Sequence, residues 1–329
     1  MPVQITIIGL GQIGASIGLG LAEKKETIKR IGHDKSIEFA RQAEKNGAVD
    51  EVHINLPRSV ENADVVILAI PQDQVEETLK FIAPDLKPDC VILDTSPIKQ
   101  SIISDLKTLI PANSHYIGFV PAFSPLYLLS SDAGITGAHK DLFKQGLFAI
   151  ITPPGAPSAA IQLASDLTSM LGAEHLFIEA AELDSQMAAV HLLPQMTAST
   201  LLNMTVDQPG WLEGRKLASR PYSWSTYNAA TLESPAALAH AALKNRQNML
   251  RVLDTFILQL THLRTLIENG QEAALVTVFQ NAVQQQNQWW KERTAGHWPA
   301  AGAPPKTEMP TSASWFSNFF GIRPRQNKK

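Results

Sequence analysis

Cysteine is almost absent. Cys90 is the single one among 329 residues, so no disulfide can form within one chain, and its place in the apolar run Cys90-Val91-Ile92-Leu93 predicts a buried thiol. Charge of one sign is equally scarce. With 28 basic against 31 acidic residues the net charge is −3, without the basic excess of a general nucleic-acid binder. No stretch approaches the ~18 consecutive apolar residues of a membrane span. No basic-then-apolar leader precedes the first apolar run, so a soluble chain in a reducing, cytoplasmic setting is expected. The histidines share no ligand spacing and no Cys/His set exists, which predicts no metal site. Ser96 and Ser124 lack the Gly-x-Ser-x-Gly setting of a hydrolase nucleophile.

What is present begins at the fourth residue. Gln4-Ile5-Thr6-Ile7-Ile8 is a short apolar strand running into Gly9-Leu10-Gly11-Gln12-Ile13-Gly14, a Gly-x-Gly-x-x-Gly turn with a helical pattern behind it. Gly9 allows a tight turn off the strand, Gly11 lets the backbone approach a pyrophosphate, and Gly14 lets the next helix pack close to the sheet. With Gln12 and Ile13 between them they would hold the phosphates at a helix N-terminus, where a partial charge of about +0.5 favours anions. Asp34 closes the second apolar run 20 positions after Gly14 and is placed to accept from the adenosine ribose hydroxyls. An aspartate there repels a 2′-phosphate, so NAD is the expected cofactor, with NADP possible. No Val-Ala-Ile-Lys-like strand follows, which disfavours a kinase-type glycine loop.

Length suffices for two domains, and 44% hydrophobic with 18% charged residues fits a globular protein. Over 1–155, apolar runs at 28–32, 65–70, 91–94, 116–120 and 148–152 alternate with helical patterns at 36–46, 72–86 and 99–109. Continuous β-branched strands separated by helices predict an α/β Rossmann-type fold, a doubly wound parallel sheet covered on both faces. Residues 156–178 supply a connecting helix and a last strand at 175–178. Beyond it, 179–295 is helical. Leu250, Leu253, Phe256, Ile257, Leu260, Leu263 and Ile267 form one stripe that stops at Asn269-Gly270, and a second helix over 271–293 returns antiparallel. A two-helix arm of this kind leaves apolar surface uncovered, which predicts a homodimer through the helical domain. The tail 296–329 is expected to be disordered. Its Trp315, Phe316, Phe319 and Phe320, followed by Arg323, Arg325, Lys328 and Lys329, form an aromatic and basic segment that could touch a partner or a membrane.

Five segments in this order resemble the prephenate and arogenate dehydrogenase family of tyrosine biosynthesis. They are the glycine turn, the strand end Ala69-Ile70-Pro71, the segment Asp94-Thr95-Ser96-Pro97-Ile98-Lys99, the segment Gly118-Phe119-Val120-Pro121-Ala122-Phe123-Ser124-Pro125, and a helix over 182–203 containing Pro194. The resemblance implies hydride transfer from a small cyclic hydroxy acid to NAD(P), with cofactor contacts extending to Ile70, Pro71 and Asp94. In that family a histidine takes the hydroxyl proton, as a pKa near ~6.5 allows, and arginines bind the substrate carboxylates.

The match departs from the family at the substrate end. The family's His-Pro-Met segment is Val120-Pro121-Ala122 here, and valine cannot move a proton. The serine of the Asp-x-x-Ser segment falls on Pro97. The His-x-Pro-His segment is Leu192-Leu193-Pro194-Gln195, and Ser225-Thr226-Tyr227-Asn228-Ala229 stands where two arginines are expected. Candidate catalytic residues are therefore His191, Gln195 and Ser124, with His191 and Gln195 on one helical face. Candidate substrate contacts are Ser96, Ser124, Gln195 and, from a loop-like basic stretch, Arg215, Lys216 and Arg220. Three readings stay open: the family reaction, the same chemistry on a less anionic substrate, and an NAD(H)-binding protein without turnover.

Overall fold

The alternation of short apolar strands with amphipathic helices produces one twisted sheet. A computed structural model describes residues 2–231 and 234–296; the aromatic and basic tail segment lies outside them. Eight strands run in the order β3-β2-β1-β4-β5-β6-β7-β8. They are β1 (Val3–Ile8), β2 (Ile28–His33), β3 (Glu51–Val52), β4 (Val65–Leu68), β5 (Val91–Asp94), β6 (His115–Ala122), β7 (Leu147–Ile151) and β8 (Glu174–Phe177). Every neighbouring pair is parallel except β6 and β7, which run antiparallel with Val120 opposite Ala149. The strand order reverses between β1 and β4, the switch point at which such sheets open a ligand crevice.

Alternation along the strands divides the core into two layers. Ile5, Ile7, Val65, Ile67, Val91 and Leu93 face one layer, under α1 (Gln12–Gly20), α2 (Ile37–Lys45) and α6 (Ser158–Met170). Ile8, Val66, Leu68 and Ile92 face the other, under α3 (Leu56–Val60), α4 (Gln72–Ile82) and α5 (Gln100–Leu109). Residues buried on both faces explain why these strands are continuous apolar runs rather than alternating ones. Cys90 lies in the second layer, fully buried. One charged side chain is enclosed in β2. Arg30 donates to the carbonyls of Gly18 and Gly47 at 2.7 and 2.9 Å and grips Asp50 through Nε and Nη2, tying α1, the end of α2 and the approach to β3 together.

Helices follow β8: α7 (Ala180–Met187), α8 (Leu193–Val206), α9 (Trp211–Leu217), α10 (Arg220–Thr226), α11 (Asn228–Thr231), α12 (Pro235–Lys244), α13 (Arg246–Glu268) and α14 (Glu272–Ala295). Ser234 caps α12 by accepting from Ala237 N, and Gly270 turns the chain between α13 and α14 at φ 61°. Two local expectations are corrected. The single helix expected over 182–203 is α7 and α8 joined by a π turn, Ala188–Leu192, because Pro194 has no N–H to offer the carbonyl one turn before it and its ring needs extra room. The basic stretch expected as a loop forms α9 and α10. Strand β3 and helix α3 went unforeseen, being two and five residues long. No helix among the described residues is long and apolar enough to cross a membrane.

Candidate functional site

The carboxyl ends of β1, β2 and β4 meet at the switch point, and the glycines there are dictated by contact. Gly9 has φ +90°, and a Cβ on it would lie 2.3 Å from Ala69 O and 2.9 Å from Ile70 Cγ2. A Cβ on Gly14 would lie 1.9 Å from Gly9 O, so α1 packs directly on the turn. Gly11 is the opposite case, with nothing within 4 Å of its Cβ position, which leaves the space a diphosphate would fill. Helix α1 starts there with no side-chain cap and no acidic residue in its first turn, leaving its amides and dipole to an anion. Asp34 is half-buried beside this turn. Its Oδ2 accepts from Leu10 N and its Oδ1 from Ser36 N, both at 2.8 Å. Each carboxylate oxygen retains a further acceptor position. These residues fit a dinucleotide with unmodified ribose hydroxyls, and among the described residues no basic side chain bonds to Asp34.

Beyond the cradle, Ile70 packs on Gly9, and Pro71, also half-buried, precedes α4. The β5–α5 connection is held by a buried polar network. Asp94 is fully buried and accepts from Ser96 N at 2.9 Å, Ser96 Oγ at 3.0 Å, Lys99 Nζ at 2.7 Å and Tyr116 Oη at 2.6 Å. Its carboxylate therefore shapes this connection and does not face the crevice. Ser96 is part of the same network, with its Oγ 2.9 Å from Lys99 Nζ. Burial pushes the Lys99 ammonium pKa down, and the charges of Asp94 and Asp184 only partly oppose it. Burial, then the neighbouring Asp94, pushes the Tyr116 phenol well up. From the helical half, Asp184 accepts from the backbone N–H of Lys99 and Gln100 at 2.8 and 3.1 Å, while Gln72 Oε1 accepts from Ile98 N at 2.9 Å. Burial raises the Asp184 carboxyl pKa against those bonds. Sequence reasoning named the segment 94–99 but missed Tyr116, Asp184 and Gln72. Lys99, a cation five residues after Asp94 in the same short segment, was the available signal.

The substrate-end candidates are not gathered into one cluster. Val120 is 6% exposed and packs with Ala149, Ile151 and Leu183 in an apolar group that α7 completes. Ser124 is fully buried, and its hydroxyl caps the 3-10 turn Pro125–Tyr127 by accepting from Leu126 N. His191, partly buried, lies in the π turn. Gln195 is 1% exposed, and its Nε2 donates to His191 O at 3.0 Å. Arg215 and Arg220 stand exposed on α9 and α10, the guanidinium of Arg220 5.4 Å above the Trp224 ring.

Residues 17–176 match the family model of the prephenate dehydrogenase nucleotide-binding domain, and 179–281 match that of its dimerization domain. The chain belongs to the prephenate dehydrogenase family. A cyclohexadienyl dehydrogenase of Zymomonas mobilis is 30% identical over 284 residues, covering 85% of this chain and 93% of the relative. A prephenate dehydrogenase of Bacillus subtilis is 24% identical over 284 residues, covering 86% and 75%. Among solved structures, prephenate dehydrogenase of Aquifex aeolicus in complex with hydroxyphenyl propionate and NAD+ superposes with a TM-score of 0.77 at 19% identity, over 88% of this chain and 98% of that one. The expected α/β-plus-helical architecture is that of the family. Helix α13 and the first part of α14, to residue 281, lie within the dimerization-domain match, and they carry exposed Ile257, Leu260, Ile267 and Phe279.

Proposed function

We propose that this chain is an NAD-dependent dehydrogenase of the prephenate and arogenate type, acting in tyrosine biosynthesis as a homodimer in a reducing compartment. The observation that carries this reading is the open space over Gly11 at the mouth of an uncapped α1, with Asp34 beside it, in a chain whose family is set by both of its domains. The backbone of Gly9, Gly11, Gln12, Ile13 and Gly14 would hold the diphosphate, Asp34 the adenosine ribose, and Ile70 and Pro71 the wall next to it. A nicotinamide dinucleotide held by these residues would supply the hydride acceptor. The network of Asp94, Ser96, Lys99 and Tyr116 fixes the shape of the β5–α5 connection, and Asp184 locks that connection to the helical domain.

The substrate end supports a second reading, of the same chemistry on a less anionic substrate, because Val120 is sealed against Leu183 and Ile151. On either reading residue 120 takes no proton. His191 remains the candidate base, and Arg215 and Arg220 the candidate anion contacts. The test is oxidation of prephenate and of arogenate by purified protein with NAD. Turnover of either establishes the first reading. Failure with both, while NADH still binds, favours the second or a binding protein without turnover. A Val120→His variant that gains prephenate oxidation would locate the divergence at that one position, and no gain would spread it over several.

A further inference from the structure

The connection between β6 and β7 does not leave the cofactor crevice open on all sides. From Ser130 to His139 the chain runs as a strap across the first turns of α1. Gln12, inside the glycine turn, donates through Nε2 to Gly137 O at 3.0 Å and to Asp132 O at 3.3 Å. One helical turn on, buried Ser16 accepts from His139 N at 3.0 Å. Between these contacts the 3-10 turn Gly134–Gly137 packs on α1 and α2, with Ile135 seated in the main core. The approach at Gly137 is so close that a Cβ there would lie 2.8 Å from Gln12 Nε2 and from the Asp132 backbone. At the far end Tyr227, from the helical domain, donates through its hydroxyl to Ser131 O at 2.6 Å.

We propose that this strap is the outer gate of the dinucleotide site, with Gln12 as its latch on the cradle and Tyr227 as its latch on the helical domain. The inference rests on the cofactor reading above. Gln12 is the first residue of α1, directly after the open space at Gly11, so anything it holds stands within one side-chain length of the diphosphate position. The strap borders α1 and α2, the two helices that flank the diphosphate and the Asp34 ribose position. Dinucleotide entry and release then require the Gln12 contacts to part. Because the second latch lies on the helical domain, movement of that domain is transmitted to the cofactor site. Gln12 and Tyr227 act here as positioning residues.

Stopped-flow fluorescence with NADH, on the full chain, separates a gate from a direct contact. A gate held shut by a latch slows both entry and exit. Gln12→Ala, Tyr227→Phe and Gly137→Ala are each expected to raise both kon and koff by about three- to tenfold, the scale of losing one or two hydrogen bonds, with Kd moving by less than about threefold. Tyr227→Phe keeps the ring and removes one oxygen, so it remains informative where a change at Gly137 disturbs folding. A rise in koff alone for Gln12→Ala, with wild-type rates in Tyr227→Phe, would mean that Gln12 touches the dinucleotide directly and would overturn the gate. Unchanged rates in Gln12→Ala and Tyr227→Phe overturn it as well. Absence of NADH binding to the wild-type chain would overturn the cofactor reading itself, a different result.

Discussion

Asp34 carries two loads, and they explain why one carboxylate can matter so much. It holds the glycine turn through Leu10 N and the start of α2 through Ser36 N, and its remaining lone pairs are the ones the proposed ribose contact would use. Hydrogen bonds to a charged group contribute about 1.5–3 kcal/mol each. Asp34→Ala is therefore expected to weaken NADH binding by about tenfold or more and to narrow its margin over NADPH, measured by calorimetric titration with both. An unchanged margin would remove the aspartate from the ribose. Lys99 makes a second residue-scale case, since its ammonium and the Asp94 carboxylate are both fully enclosed. Lys99→Met leaves Asp94 buried without a counter-charge and is expected to cost about 3–5 kcal/mol in urea unfolding. Adding Asp94→Asn to Lys99→Met is expected to return part of that loss.

At the scale of elements, the centre of the sheet and the glycine turn were legible because β1 runs into Gly9 and β4 and β5 are continuous apolar runs, and Pro71 after Val65–Leu68 is the plainest stop. The parts that were not legible share a cause. Asp184 lies 85 residues from Lys99 in the chain, and only the folded arrangement brings its carboxylate to the N-terminus of α5. The π turn at Ala188–Leu192 follows from how one helix absorbs Pro194, which a 3.6-residue period does not foresee. Ser124 looked like a polar group at a pocket and is a turn cap, since its surroundings and not its type decide its use. Arg30 was read only as part of a strand, although it holds α1 and the end of α2 through the Gly18 and Gly47 carbonyls and the approach to β3 through Asp50. Burial alone would raise the Asp50 carboxyl, but the hydrogen bonds and charge of Arg30 outweigh it and hold the group below its usual 3.8. A depressed folded-state pKa gives stability that is complete above 3.8 and is lost as pH falls through the lower folded value. The melting-temperature gap between wild type and Asp50→Asn is thus expected to be full near neutral pH and to close below pH 3.8. A gap that does not change with pH would show that the ion pair adds nothing.

For the whole molecule, the sequence stripe on α13 proves to be surface in the single chain: Leu260 is 49% and Ile267 66% exposed. Exposed apolar side chains along these two long helices are the surface that the proposed second copy would cover. Light scattering on the wild-type chain is expected to give a dimer, and Leu260→Glu with Phe279→Glu to shift it toward monomer while NADH affinity is kept. A wild-type monomer would contradict this. Through Asp184 and Tyr227 the helical domain is bonded to the β5–α5 connection and to the 130–139 segment that crosses α1. The most direct measurement is calorimetric titration of folded wild-type chain with NADH, followed in parallel by tryptophan emission. One site per chain in the micromolar range, weaker for NADPH, is the predicted result. Neither heat nor a change in emission, from protein whose circular dichroism shows it folded, would contradict the account at its root.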